Sequence, residues 1–224
     1  MFSTGIALIR KDLTLLFFRG NALIQALLLG LILIFVFSLA QSAGETLSPQ
    51  TGACIFWLCS LFCTVLLFNQ LFALEEGNAQ RLALVLLPTP IHTIFLSKAL
   101  SGLMLLLTSQ LCFLPATVAF LGQSIVGDLA EAALALILVD FGLITVGALL
   151  GALAQGQAAK ETLLTIVLFP LLTPLLLAGI SIHTATLSVQ AQEPTQWFSL
   201  AFAFDALFFG AALLLFPFIY SGEE

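Results

Sequence analysis

Leu, Ala, Phe and Val fill long stretches of the chain, broken at intervals by polar and turn-forming residues. A helix that crosses a bilayer needs about 20 mostly apolar residues. Six stretches meet that length, approximately Ala22 to Ala40, Thr51 to Leu74, Ala99 to Gly122, Glu131 to Ala154, Thr162 to Ile182 and Trp197 to Tyr220. Apolar residues run on continuously within them instead of alternating, which excludes a transmembrane β-barrel. Leu82 to Leu87, cut short by Pro88 and Pro90, is too brief to cross and reads as interfacial. Ahead of the first span, Phe2, Ile6, Ile9, Leu13, Leu16 and Phe17 recur at helical spacing, while Ser3, Arg10, Lys11 and Thr14 fall largely elsewhere on the wheel. This predicts an amphipathic interfacial helix over residues 1–20, with Arg10 and Lys11 turned to anionic lipid; a plain topogenic leader accounts for the pattern equally well.

Charge orients the spans. Arg10, Lys11 and Arg19 precede the first, Arg81 and Lys98 lie between the second and third, and Lys160 lies between the fourth and fifth. All six basic residues fall on one side, and the opposite connections, Gln41 to Gln50, Gln123 to Ala130 and His183 to Gln196, hold none. The positive-inside rule therefore places both termini in the cytoplasm. A cleaved signal peptide ending at Ser38-Leu39-Ala40 fits poorly, because the apolar run is longer than an h-region and follows about twenty residues with their own pattern. Composition agrees with a membrane protein: 61% hydrophobic residues, 8% charged, mean hydropathy +1.17. A net charge of −6 leaves no basic patch, so nucleic-acid binding is not expected.

Reactive chemistry is sparse. Cys54, Cys59, Cys63 and Cys112 all lie in apolar spans, His92 and His183 sit in no ligand-spaced cluster, and no nucleophile elbow occurs. No catalytic residue, metal site or bound cofactor is expected. Gly151 to Gly156 has the glycine spacing of a phosphate loop but lacks its Lys and Ser or Thr, so any ATP hydrolysis belongs to another chain. Gly147 and Gly151 make a small-residue step that lets a helix approach closely, from this chain or from a second copy. Asp140 and Asp205 lie at similar depth within spans, where a charge costs a few kcal/mol. They read as substrate contacts or a proton relay, or more simply as buried hydrogen-bonding groups. Pro170 and Pro174 should kink or break the fifth span.

Glu75-Glu76-Gly77-Asn78-Ala79-Gln80-Arg81 is the most polar stretch of the chain, at the start of a cytoplasmic loop expected over residues 75–98. Exposed charge on Glu75, Glu76 and Arg81 could dock a soluble partner, or the stretch could be a solvated connector.

The order and spacing of several groups of residues resemble the CcmB family of haem exporter proteins, the membrane subunits of the ATP-binding-cassette complex of cytochrome c maturation. They are Arg10-Lys11-Asp12-Leu13 and Arg19, Leu71-Phe72 with Glu76-Gly77, Pro88 with Ile94 to Lys98, Gly142 and Gly147, Leu168 to Pro174, and Trp197 with Phe204-Asp205 and Phe216. The acidic residue that the family usually carries a few positions after the loop glycine is replaced here around Gln80-Arg81. The resemblance implies an all-α, ABC-2-type permease of six transmembrane helices over residues 1–224, in the bacterial inner membrane. It further implies a loop at Glu75, Glu76, Gly77, Asn78 and Arg81 that docks on the ATPase CcmA, which uses ATP. A homodimer assembled with CcmC and CcmD is implied too, with haem, or a haem-loaded chaperone, as the cargo. Two alternatives stand beside it: an exporter permease for another substrate, and an ion-coupled secondary transporter working through Asp140 and Asp205.

Overall fold

The computed structural model describes residues 2–18, 22–41, 47–75, 83–84, 86, 88–124, 126–155, 160–187 and 195–221. Among the described residues, seven long helices build the fold: α1 (Phe2–Phe18), α2 (Ala22–Leu39), α3 (Pro49–Ala73), α4 (Ile91–Leu121), α5 (Leu129–Ala154), α6 (Lys160–Leu187) and α7 (Thr195–Ser221). Strands are absent among the described residues. Five helices, α3 to α7, are long and apolar enough to cross a membrane; α2 is apolar but shorter.

Local signals account for where the helices start and stop. Ser48 caps α3, its hydroxyl accepting from the Thr51 amide at 3.2 Å, and Pro49 takes the first turn, where its missing N–H costs nothing. Asp128 caps α5 in the same way, accepting from the Ala130 amide at 2.8 Å. Gly122 ends α4 with a φ of 65°, a left-handed conformation that glycine adopts without strain.

Interhelical hydrogen bonds fix an up-and-down arrangement. At one end of the bundle, Gln123 donates to the Leu47 carbonyl, Ser38 to the Phe120 carbonyl, and the Gly127 amide to the Thr186 carbonyl. At the other end, Gln155 donates to the Glu75 carbonyl and Tyr220 to the Glu75 carboxylate. α3 and α5 occupy the middle, with 72% and 67% of their apolar windows buried against 22% for α7. The exposed large apolar side chains of α2, α4 and α7 are mostly Leu, Ile, Phe and Val, as a lipid-facing surface requires.

Aromatic rings seated on glycines draw the central helices together. Phe68 of α3 lies between Gly102 of α4 and Gly147 of α5, where an added Cβ would stand 2.7 and 2.6 Å from its ring. Phe72 covers Gly151, Trp57 of α3 covers Gly179 of α6, and Phe113 of α4 covers Gly30 of α2. The Gly147–Gly151 step is thus occupied by α3 of the same chain. The local support it offered for a dimer is used up inside the fold.

Three expectations change. The third span begins at Ile91, eight residues before Ala99, because Pro90 sits at the N-cap and nothing after it breaks the helix before Gly122. Lys98 therefore belongs to α4, not to a loop. α6 continues to Leu187, so His183 is helical, its ring edge-on to Phe56 at 5.0 Å and near Trp57, instead of lying in a connection. That helix also continues through Pro170 and Pro174, both exposed, so neither breaks the fifth span.

Candidate functional site

Two sets of buried polar side chains stand out from the apolar packing. The first lies where α3, α5 and α7 end and α4 begins. A fully buried lysine is unstable in an apolar bundle unless its three N–H groups find acceptors. Lys98 Nζ lies 2.6 Å from Glu75 Oε1, 3.2 Å from Asp12 Oδ2 and 3.1 Å from the Leu71 carbonyl, and its ammonium stands 5.6 Å from the centre of the Phe72 ring. Lys11 adds a second cation, 2.8 Å from Glu75 Oε1 and 3.1 Å from Asp12 Oδ1. Glu75 Oε2 accepts from the Tyr220 hydroxyl at 2.9 Å, and the Glu75 carbonyl accepts from Gln155 Nε2 at 3.2 Å.

Two cations and two anions cancel, which is how the bundle tolerates Asp12, Lys98 and Glu75 at 0%, 1% and 3% exposure. Burial alone would raise the Glu75 carboxyl, but the Lys98 and Lys11 ammonium groups outweigh it and hold it below its ordinary range. Burial likewise opposes the charge on Lys11, and Glu75 with Asp12 overcomes it, so this lysine is raised.

The position of α1 follows from this cluster. Leu8, Asp12 and Leu16, spaced one helical turn apart, are buried on α4 and its neighbours, while Ile6 and Phe17 remain exposed and Ile9 and Leu13 are half-buried. α1 therefore presents its apolar stripe outward and docks through a stripe that carries a carboxylate. Arg10 is exposed, as expected; Lys11 turns inward to Glu75 and Asp12 instead of to lipid.

Glu75 differs most from expectation. Its place in the polar stretch predicts exposed charge for a partner, yet it is buried and engaged on every polar atom, because Lys98 and Lys11 hold its carboxylate inside the bundle. Glu76, Gly77, Asn78 and Arg81 lie outside the described residues. Asp12 and Lys98 were not singled out as site residues. An aspartate on the otherwise apolar and basic N-terminal helix, and a lysine four residues after Ile94 on an unbroken helical pattern, were the available signals.

The second set lies deep in the spans. Gln110 Nε2 of α4 donates to Asp140 Oδ1 of α5 at 2.8 Å and lies 3.1 Å from the Ser60 hydroxyl of α3. Gln110 thus joins the three helices around the core, with Asp140 as its acceptor on α5. Asp205 of α7 is buried against Gly142 of α5, whose missing side chain makes room for its carboxylate. The two carboxylates belong to separate contacts. Among the described residues, no group of three or more His, Cys, Asp or Glu could hold a metal ion.

Among curated proteins, no match was found for this sequence. A family description, "CcmB protein", matches residues 3–221 and so takes in every helix and both polar sets. The chain belongs to the CcmB family.

Proposed function

We propose that the chain is the membrane subunit of an ATP-binding-cassette complex for c-type cytochrome maturation, with ATP hydrolysed by a separate CcmA-type partner. The family match over nearly the whole chain carries this proposal. The proposed topology has six spans and both termini in the cytoplasm of a bacterial inner membrane. α2 supports the sixth span: its 18 residues extend about 27 Å, close to the roughly 30 Å of the hydrocarbon core. The basic residues support the orientation, with Lys11 and Lys98 gathered at the bundle end that would face the cytoplasm.

The charge cluster suggests how such a subunit responds to its partner. Residues 76–90 connect Glu75 to α4, so force on that segment acts directly on Glu75 at one side and, through α4, on Lys98 at the other. Both are bonded to α1, and Glu75 also to α5 and α7. A displacement would thus be passed to several helices at once, ending in delivery of haem, or of a haem-loaded chaperone, at the outer face. The ion-coupled alternative is weaker at Asp140, whose Oδ1 is held by Gln110, and rests on Asp205, whose buried carboxylate oxygens meet no hydrogen-bond partner among the described residues.

The test is affinity purification of the tagged chain from its own membrane in mild detergent. Recovery of a CcmA-type ATPase with CcmC and CcmD, and ATP hydrolysis in the preparation, is the expected result. Repeated recovery of this chain alone, with proton-dependent transport after reconstitution, would overturn it.

A further inference from the structure

We propose that the groove between α1 and α4 is a binding site for one anionic phospholipid of the adjoining leaflet, its acyl chain lying along the groove and its phosphate paired with Arg10. Two adjoining hollows of about 330 and 440 Å³ form the groove and share Ile6 and Ile9. Their walls are almost wholly apolar, and Arg10 stands in the wall of the larger one. Along α4 the groove runs from Thr93 to Met104, about 16 Å at the helical rise. One leaflet contributes about half of the roughly 30 Å hydrocarbon thickness, so the groove matches an acyl chain in length.

Charge selects the headgroup. Lys11, Lys98, Asp12 and Glu75 neutralise one another, which leaves the positive charge of Arg10 uncompensated among the described side chains. Arg10 is exposed and has no acidic partner among the described residues. A guanidinium at the headgroup boundary pairs with phosphate through two parallel hydrogen bonds. A second copy of the chain is a poor occupant. Of the acids whose side chains are described, Asp12, Glu75, Asp140 and Asp205 are buried, and Asp128 and Glu131 stand at the opposite end of the bundle. The bilayer itself supplies both the anion and the apolar chain that the groove lacks. This site stands whatever cargo the complex handles.

Native mass spectrometry of the full chain, titrated with phosphatidylglycerol and with phosphatidylcholine, tests it. The expected result is one tightly retained phosphatidylglycerol, a preference that Arg10→Gln lowers roughly fivefold and Arg10→Lys largely keeps. Leu100→Trp, which fills the groove and leaves Arg10 in place, should abolish the tight site, with circular dichroism verifying that each variant keeps its helices. Equal retention of the two lipids, or a preference unchanged by Arg10→Gln, would overturn the proposal. So would a dimer that excludes phosphatidylglycerol and that Leu100→Trp splits.

Discussion

Lys98 is accommodated inside the bundle because three acceptors surround it, and this makes its loss costly. Lys98→Met would leave Asp12 and Glu75 buried with Lys11 as their remaining cation, a loss of about 3 to 5 kcal/mol. A matching fall in folded protein recovered from membranes is expected; recovery equal to wild type would contradict it. Tyr220→Phe removes one hydrogen bond to a charged acceptor and should cost about 1.5 to 3 kcal/mol, read as a lower melting temperature in detergent. The cluster also sets a pH dependence. Glu75 titrates below its ordinary value, so its stabilisation is present above the unfolded carboxyl value and is lost as pH falls through the lower folded one. Lys11 titrates above its ordinary value, so its contribution holds below the unfolded lysine value and is lost as pH rises through the folded one. Protection of the α1 amides from hydrogen exchange should therefore be flat near neutrality and fall first on acidification. Protection that rises with acid would be inconsistent with the cluster. None of this pairing was legible in the sequence, where Glu75 reads as a loop residue and Lys98 as the boundary of a span, because ion pairs 64 and 86 positions apart leave no local pattern.

Helix existence follows from apolar run length alone, and the predicted spans meet the observed helices closely except where polar residues lie inside a helix. α4 is the case in point: His92, Thr93, Ser97 and Lys98 made its first two turns resemble loop, although Ser97 and Lys98 are buried. In α6 the helix continues through Pro170 and Pro174, both exposed, so neither proline breaks it. The Gly147–Gly151 step was recognisable as a close approach, but only the structure identifies Phe68 and Phe72 as its occupants. Filling that step should therefore act within a single chain. Gly147→Ala is expected to destabilise by about 1 to 3 kcal/mol through overpacking. Phe68→Leu in the same chain should relieve part of that, so a double-mutant cycle on thermal stability should show coupling. Strict additivity of the two changes would mean that the glycine serves some other contact.

At the scale of the whole molecule, one neutral cluster joins α1, the end of α3, α4 and α7, with Gln155 after α5 attached through the Glu75 carbonyl. The family fixes the kind of protein, and under the proposed function the cluster is where a partner's motion would enter it. Glu75→Gln isolates that role, since it removes the shared anion and leaves Lys98 with Asp12 and the Leu71 carbonyl. The most direct measurement is holocytochrome c yield together with ATPase activity in cells and membranes carrying Glu75→Gln, at matched levels of the assembled complex. ATP hydrolysis retained while cytochrome c yield drops by at least about fivefold, the scale of a lost coupling energy, is the predicted result. Wild-type yield from a complex lacking the Glu75 charge would contradict the account.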